Sequence, residues 1–80
     1  MANYHEIKCD PVHFQALITG EKNFEIRKND RGYRVGDDLL IREFDRRNGE
    51  YTGRMLGKKI TYIVEGQYGL PLDICVMQLR

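Results

Sequence analysis

Cysteine and histidine are scarce in this sequence, and their positions exclude several kinds of site. The two cysteines, Cys9 and Cys75, lie far apart in the chain, and we expect no signal peptide. We therefore expect free, buried thiols and no disulfide. His5 and His13 have no metal-ligand spacing with each other or with Cys9. We expect no metal and no cofactor, because glycine-rich nucleotide-binding loops are absent as well.

Long apolar runs are also missing. No segment approaches the roughly 18 apolar residues that a transmembrane helix needs. The 80 residues are 41% hydrophobic and 31% charged, a composition typical of a folded protein with one modest core. We expect a single domain over residues 1–80, in the cytoplasm and away from membranes. A binding site must then be a surface cleft or the mouth of a barrel.

A large excess of charge of one sign is absent too, since the formal net charge is +1. The charges are unevenly placed, because residues 27–59 contain ten Lys or Arg against six Asp or Glu. Such a segment can form a cationic face, as nucleic-acid-binding proteins often have. A set of solvated hairpin loops gives the same pattern.

One helix is predicted near the start of the chain. Residues 4–8 alternate in polarity and predict a first strand. Asp10-Pro11 indicates a helix start, because Asp caps free N–H groups and Pro suits the first turn. Gly20 indicates its end. The predicted apolar face of this helix consists of Phe14, Leu17 and Ile18.

The segment after the helix predicts a short, highly charged strand over residues 23–28. Phe24 and Ile26 share one face by alternation, and Glu25 and Arg27 share the other. We expect Phe24 and Ile26 to anchor the strand to the core. From the pattern alone, Glu25 and Arg27 could equally be an ion pair on a solvated face, worth about 0–1 kcal/mol.

Lys22 precedes this strand and, by alternation, would point to the same side as Phe24. A flat strand would point it away from Glu25, so a twist or bulge at the strand's start must re-aim it.

Three further strands are predicted over residues 38–45, 50–65 and 74–79, with Asn48-Gly49 as a tight hairpin turn. Glycines within residues 50–65 indicate bends of the kind found at barrel corners. The pattern predicts an α+β, mainly β fold. We expect a small, partly open β-barrel of five to six strands with one helix after the first strand.

Aromatic and basic residues in the predicted loops are candidates for nucleic-acid contacts. Tyr33 and Tyr68 could stack on bases, which contributes about 1–3 kcal/mol per base. Alternatively, each ring closes an end of the barrel and is buried. The candidates for salt-sensitive phosphate contacts are Arg31, Arg34, Arg46, Arg47, Arg54, Lys58 and Lys59.

The spacing Gly20-x-Lys22-x-x-Glu25-x-Arg27 resembles the G-x-K-x-x-E-x-R signature of the ASCH superfamily, whose domains have a fold similar to the PUA RNA-binding barrel. Further blocks, at residues 5–8, 24–31, 35–37, 50–54 and 66–70, are similar to DUF3850, an ASCH/PUA-like family of bacteria and phages. The resemblance implies an RNA-related role and a ligand cleft between barrel and helix. The ligand-binding residues that we predict are Lys22, Glu25, Arg27, Tyr33, Arg34 and Tyr68.

Some ASCH proteins are amidohydrolases that act on acylated cytidine with a lysine, a threonine and a glutamate. Lys22 matches that lysine, whereas Glu25 takes the place of the threonine and leaves no hydroxyl there. The resemblance therefore favours recognition over acyl-enzyme chemistry. An enzymatic site here would rely on Lys22 and Glu25.

Three functions stay open at this point. The first is a module that binds RNA or a nucleobase in a cleft built on Lys22, Glu25 and Arg27. The second is an amidohydrolase acting on an N4-acylated cytidine nucleoside. The third is a bacterial or phage accessory module that binds other proteins.

Overall fold

One helix and five β-strands form the part of the chain that the computed structural model describes, residues 3–80. In chain order they are β1 (Tyr4–Cys9), α1 (Pro11–Thr19), β2 (Phe24–Lys28), β3 (Asp38–Asp45), β4 (Glu50–Glu65) and β5 (Ile74–Leu79). The predicted class, α+β and mainly β with a helix after the first strand, is confirmed. Within these residues, no helix has the length and apolar character to cross a bilayer.

The local sequence explains both ends of α1. Asp10 has an extended backbone, and its carbonyl oxygen accepts the first helical hydrogen bond, from the N–H of Phe14 at 2.8 Å. Gly20 ends the helix with φ of 84°, a left-handed conformation that glycine adopts without strain. The helix buries Phe14 and Leu17, whereas Ile18 is 47% exposed. Two of the three predicted apolar positions therefore contact the core.

The five strands form one mixed sheet in the order β1-β3-β4-β5-β2. β1 runs parallel to β3, and the other neighbouring strands are antiparallel. β4 is 16 residues long, pairs with β3 along its first part and pairs with β5 along its second part. An irregularity between Ile60 and Tyr62 interrupts the ladder with β5. Irregularities of this kind bend a strand, and the two edge strands β1 and β2 come to face each other.

Side chains, not a backbone ladder, cross the seam between β1 and β2. Arg27 Nη1 donates to the carbonyl oxygen of Lys8 at 3.0 Å. The guanidinium of Arg31 donates to the carbonyl oxygen of Glu6. Both arginines thus satisfy acceptors that an edge strand otherwise leaves unpaired. The sheet is therefore open along this seam, where side chains connect its two edge strands.

The core lies between the inner face of the sheet and α1. Alternate residues of β1 point inward, which places Ile7 and Cys9 in the core. Cys9 and Cys75 are free, buried thiols, as expected. Burying a large apolar side chain contributes about 1.5–3 kcal/mol. The core consists of Ile7, Cys9, Phe14, Leu17, Tyr33, Leu39, Ile41, Ile60, Cys75, Met77 and Leu79.

The two faces of β2 are opposite to the prediction. Glu25 is buried and Arg27 is half-buried, whereas Phe24 and Ile26 are 43% and 57% exposed. The expectation that Phe24 and Ile26 anchor the strand to the core is therefore wrong. Alternation separates an apolar face from a charged face, but it does not state which one turns inward. Here the inward face meets a groove in which charged groups satisfy one another.

A buried polar pair ties the start of β1 to the loop before β3. Nε2 of His5 lies 2.8 Å from Oδ2 of Asp37, and the two residues are 9% and 3% exposed. The carboxylate of Asp37 also accepts hydrogen bonds from the backbone N–H groups of Asn3 and Arg34. Burial opposes ionisation, but these hydrogen bonds outweigh it and lower the pKa of Asp37 below its ordinary value.

Candidate ligand-binding site

A groove of about 450 Å³ opens between the end of β1, the start of α1 and β2. This volume is within the range of pockets that hold small ligands, about 300–1,000 Å³. The polar and charged lining includes Lys8, Asp10 and His13 on the wall formed by β1 and α1, and Lys22, Glu25 and Arg27 on the wall formed by β2. The structure thus brings Lys22, Glu25 and Arg27 together at one concave surface.

Glu25 is the centre of this charged set. Its Oε1 accepts a hydrogen bond from Lys22 Nζ at 3.0 Å, and its Oε2 accepts one from Arg27 Nη1 at 3.2 Å. The side chains of Glu25, Lys22 and Arg27 are 8%, 16% and 29% exposed, respectively. We call these three residues the charged triad. Because each carboxylate oxygen is held by a different cation, the carboxylate has a defined direction.

Lys22 reaches Glu25 because it lies outside the strand. After the left-handed turn at Gly20, the N–H of Lys22 donates to the carbonyl oxygen of Ala16 at 3.0 Å. Asn23 Nδ2 donates to the carbonyl oxygen of Gly20 at 3.0 Å. The alternation of β2 starts only at Phe24. The tight connection after α1, and not a distorted strand, therefore aims the Lys22 side chain.

The charged triad contains two cations and one carboxylate, so it carries an excess positive charge. Among residues 3–80, the contacts of the Arg27 guanidinium are made by Nη1, which donates to Glu25 and to the carbonyl oxygen of Lys8. A guanidinium has five N–H donors and an ammonium has three. Donors therefore remain for an anion, and Glu25 offers further lone pairs to an N–H donor of a ligand.

The opposite wall contains Cys9 and Asp10, which were not predicted for the site, and Arg46, which was predicted as a phosphate contact. Arg46 Nε donates to Asp10 Oδ1 at 2.6 Å, which links the turn after β3 to the start of α1. Cys9 also lines the groove, and burial together with the nearby Glu25 carboxylate raises the pKa of its thiol to about 11. The thiol is therefore protonated at neutral pH and is a poor nucleophile. The position of these residues could have been inferred from the β1–α1 junction. This junction must lie beside β2 if the charged triad faces the helix.

The three loop residues predicted for the site do not line the groove. Tyr33 is 4% exposed in the core, and the edge of its ring meets the ring of His5, with centroids 4.7 Å apart. This corrects the expectation that Tyr33 can stack on a base, since burial leaves neither face of its ring open. The groove lining includes neither Arg34 nor Tyr68, although Tyr68 is 92% exposed.

Of the predicted phosphate contacts, Arg46 lines this groove. Lys58 and Lys59 line a second, shallower depression near Tyr4. Lys59 is paired there with Asp38 at 2.9 Å. Across residues 3–80, no three His, Cys, Asp or Glu side chains converge as metal ligands.

The fold and the groove define a class of small, mainly β domains with one helix and a charged groove beside it. Residues 4–79 match the family model "Domain of unknown function (DUF3850)", and the chain belongs to this family. The chain is also 37% identical over 65 residues to the "Uncharacterized 12.9 kDa protein in GpA 3'region" of Escherichia phage P2. The aligned region is 81% of this chain and 58% of that relative, so the chain spans less than two thirds of the relative's length.

Proposed function

We propose that the chain binds RNA or a nucleobase in the groove, with Lys22, Glu25 and Arg27 as the recognition set. The observation that carries the proposal is the carboxylate of Glu25, whose side chain is 8% exposed, oriented by two cations and placed at a groove. A carboxylate in a fixed direction can accept hydrogen bonds from the exocyclic amine of a base. Lysine and arginine beside it suit a phosphate or another anion.

The volume of the groove and its excess positive charge support the same proposal. A space of about 450 Å³ suits a ligand of nucleotide size. The resemblance of Gly20-x-Lys22-x-x-Glu25-x-Arg27 to the ASCH signature adds support, because ASCH domains are similar in fold to the PUA RNA-binding barrel. The basic segment over residues 27–59 supplies further cations for the backbone of a nucleic acid.

The groove favours binding over hydrolysis. A covalent mechanism needs an activated nucleophile, but Glu25 replaces the threonine of the amidohydrolases and the pKa of Cys9 is raised to about 11. We expect no turnover when the protein is incubated with N4-acylated cytidines. Turnover that Lys22→Ala abolishes would instead establish the amidohydrolase.

A protein-interaction role is a second candidate, and the outer side of the sheet favours it. Phe24, Ile26 and Tyr62 are 43%, 57% and 61% exposed, respectively. Ile26 is opposite Val76 on β5, and Val76 is opposite Val64 on β4, which makes a continuous apolar row. Exposed apolar patches often mark protein contacts. Light scattering of wild type and Ile26→Lys tests whether this row mediates self-association.

Titration with short single-stranded and hairpin RNAs tests the main proposal. We expect the affinity to fall as salt rises and Glu25→Gln to weaken binding by about 10- to 100-fold, the value of one good polar base contact. Glu6→Gln is the matched control, because this carboxylate pairs with Arg42 on the surface and is 47% exposed. Circular dichroism confirms that each variant is folded. Absence of salt-sensitive binding, or equal affinity of both variants, would refute the proposal.

A further inference from the structure

Two cations and two aromatic rings lie together on the outer side of β1, β3 and β4. We call Lys8, Arg42, Phe44 and Tyr51 the platform. Lys8 is opposite Arg42 in the β1–β3 ladder, and Phe44 is opposite Tyr51 in the β3–β4 ladder. The two rings are 5.1 Å apart between centroids, at an angle of 74°. The platform therefore follows from strand register, with its four side chains on neighbouring strands.

Each ring of the platform is covered by the tip of a cation. Lys8 Nζ lies 4.4 Å from the centroid of Phe44, and Arg42 Cζ lies 3.7 Å from the centroid of Tyr51. Tyr51 is 38% exposed, so its ring is not part of the core. One face of each ring is thus covered by the end of a long side chain, which must move aside before a base can stack there.

A nucleobase can compete with these cations for the rings. A cation over an exposed ring raises the equilibrium constant for that contact by a factor of roughly 2 to 5. Stacking of a base on an aromatic ring is worth roughly 5- to 150-fold. A base therefore gains more from the rings than the cations lose. Arg42 also keeps its contact with Glu6 at 2.9 Å, whereas Lys8 forms no salt bridge among the residues that the structure describes.

The platform is continuous with the groove. Lys8 lines the groove and also covers the ring of Phe44. Arg46 follows Phe44 by two residues and lines the groove as well. A chain of nucleotides with one base in the groove can pass Lys8 and Arg46 and reach the platform next.

We propose that the platform is a second nucleotide subsite, on which the base next to the one in the groove stacks. This inference rests on the proposed function of the groove. It makes the ligand a single-stranded nucleic acid of at least two nucleotides, not a free base or nucleoside. When the base stacks on Tyr51, Arg42 moves off that ring and stays paired with Glu6, and the ammonium of Lys8 pairs with the phosphate that connects the two nucleotides.

The two subsites are distinguished by comparing the affinity for uridine monophosphate with the affinity for an oligouridine of about eight nucleotides. We expect Tyr51→Leu to weaken oligouridine binding by roughly 5- to 150-fold and to leave uridine monophosphate binding unchanged. Tyr62→Leu is the matched control, because Tyr62 is 61% exposed on β4 and lies outside the platform. We expect Lys8→Gln to lower the slope of log affinity against log salt by about 1 for the oligonucleotide. A deoxythymidine oligonucleotide of the same length distinguishes RNA from DNA.

The outcomes separate this inference from the proposed function. If Glu25→Gln weakens both ligands and Tyr51→Leu weakens neither, the groove binds nucleotides and the platform proposal is wrong. Equal loss of both ligands in Tyr51→Leu also overturns it, since that result reports damage to the groove. If neither ligand binds to the wild-type protein, both proposals fail. Loss confined to the oligonucleotide, with Tyr62→Leu unchanged, supports the second subsite.

Discussion

Replacing Glu25 by glutamine measures how strongly the charged triad depends on its carboxylate. Glutamine has nearly the same shape and keeps one carbonyl acceptor, but it carries no charge. Lys22 and Arg27 would then face each other without the anion that now contacts them at 3.0 Å and 3.2 Å. We therefore expect Glu25→Gln to lower the free energy of unfolding.

The burial of the three side chains sets the size of this loss. Breaking a fully buried ion pair costs about 3–5 kcal/mol, because a charge stays buried without its partner. An exposed pair costs about 0–1 kcal/mol. Glu25 is 8% exposed at its side chain, but Lys22 and Arg27 are 16% and 29% exposed, so water can reach both cations. We expect a loss of about 2 kcal/mol, between the two limits.

Urea unfolding, followed by circular dichroism, measures the effect. With a slope of about 1 kcal/mol per molar urea, a loss of about 2 kcal/mol lowers the midpoint by about 2 M. The stability of a domain of this length is about 4–12 kcal/mol, so the variant remains folded without denaturant.

Glu6→Gln is the control, since Glu6 pairs with Arg42 at 2.9 Å but is 47% exposed. We expect it to lose less than about 1 kcal/mol, and less still at high salt, which screens exposed charges. If the two variants lose the same stability, the reasoning about burial of the triad is refuted.

Three further predictions concern other parts of the molecule. Because the pKa of Asp37 is below its ordinary value, the carboxylate stabilises the folded protein above about pH 4, and this contribution is lost as the pH falls through the folded pKa. Asp37→Asn should remove this part of the acid-unfolding profile. An unchanged profile would contradict the prediction. The thiol of Cys9, with a pKa of about 11, should react slowly with iodoacetamide at about pH 8 in the folded protein. Mass spectrometry measures the extent of alkylation, and a rate equal to that of a free thiol would contradict the prediction. Ile26→Thr should cost less than about 0.5 kcal/mol, because Ile26 is 57% exposed, whereas Ile41→Thr should cost several times more; similar melting temperatures would contradict the assignment of the two faces.

Much of the fold was predictable from local signals. Asp10 and Gly20 mark the ends of α1 because a cap and a left-handed turn depend on residues adjacent in the chain. The bounds of β3, β4 and β5 agree with residues 38–45, 50–65 and 74–79, since polarity alternates and turn residues separate these segments. The free state of Cys9 and Cys75 follows from their number and separation. The grouping of Lys22, Glu25 and Arg27 also follows from a short stretch of chain.

Only the tertiary structure decided which side of each element is used. β2 turns Glu25 inward and Phe24 outward because its inner face meets the groove beside α1, and alternation is the same for either choice. Tyr33 is buried against His5, which lies 28 positions earlier, and Arg46 joins the groove through Asp10, which is 36 positions away. Such contacts depend on the packing of distant segments, whereas the ends of helices and strands depend on neighbours in the chain. For this reason the sequence alone determined the elements and the charged stretch, and the packing determined the site.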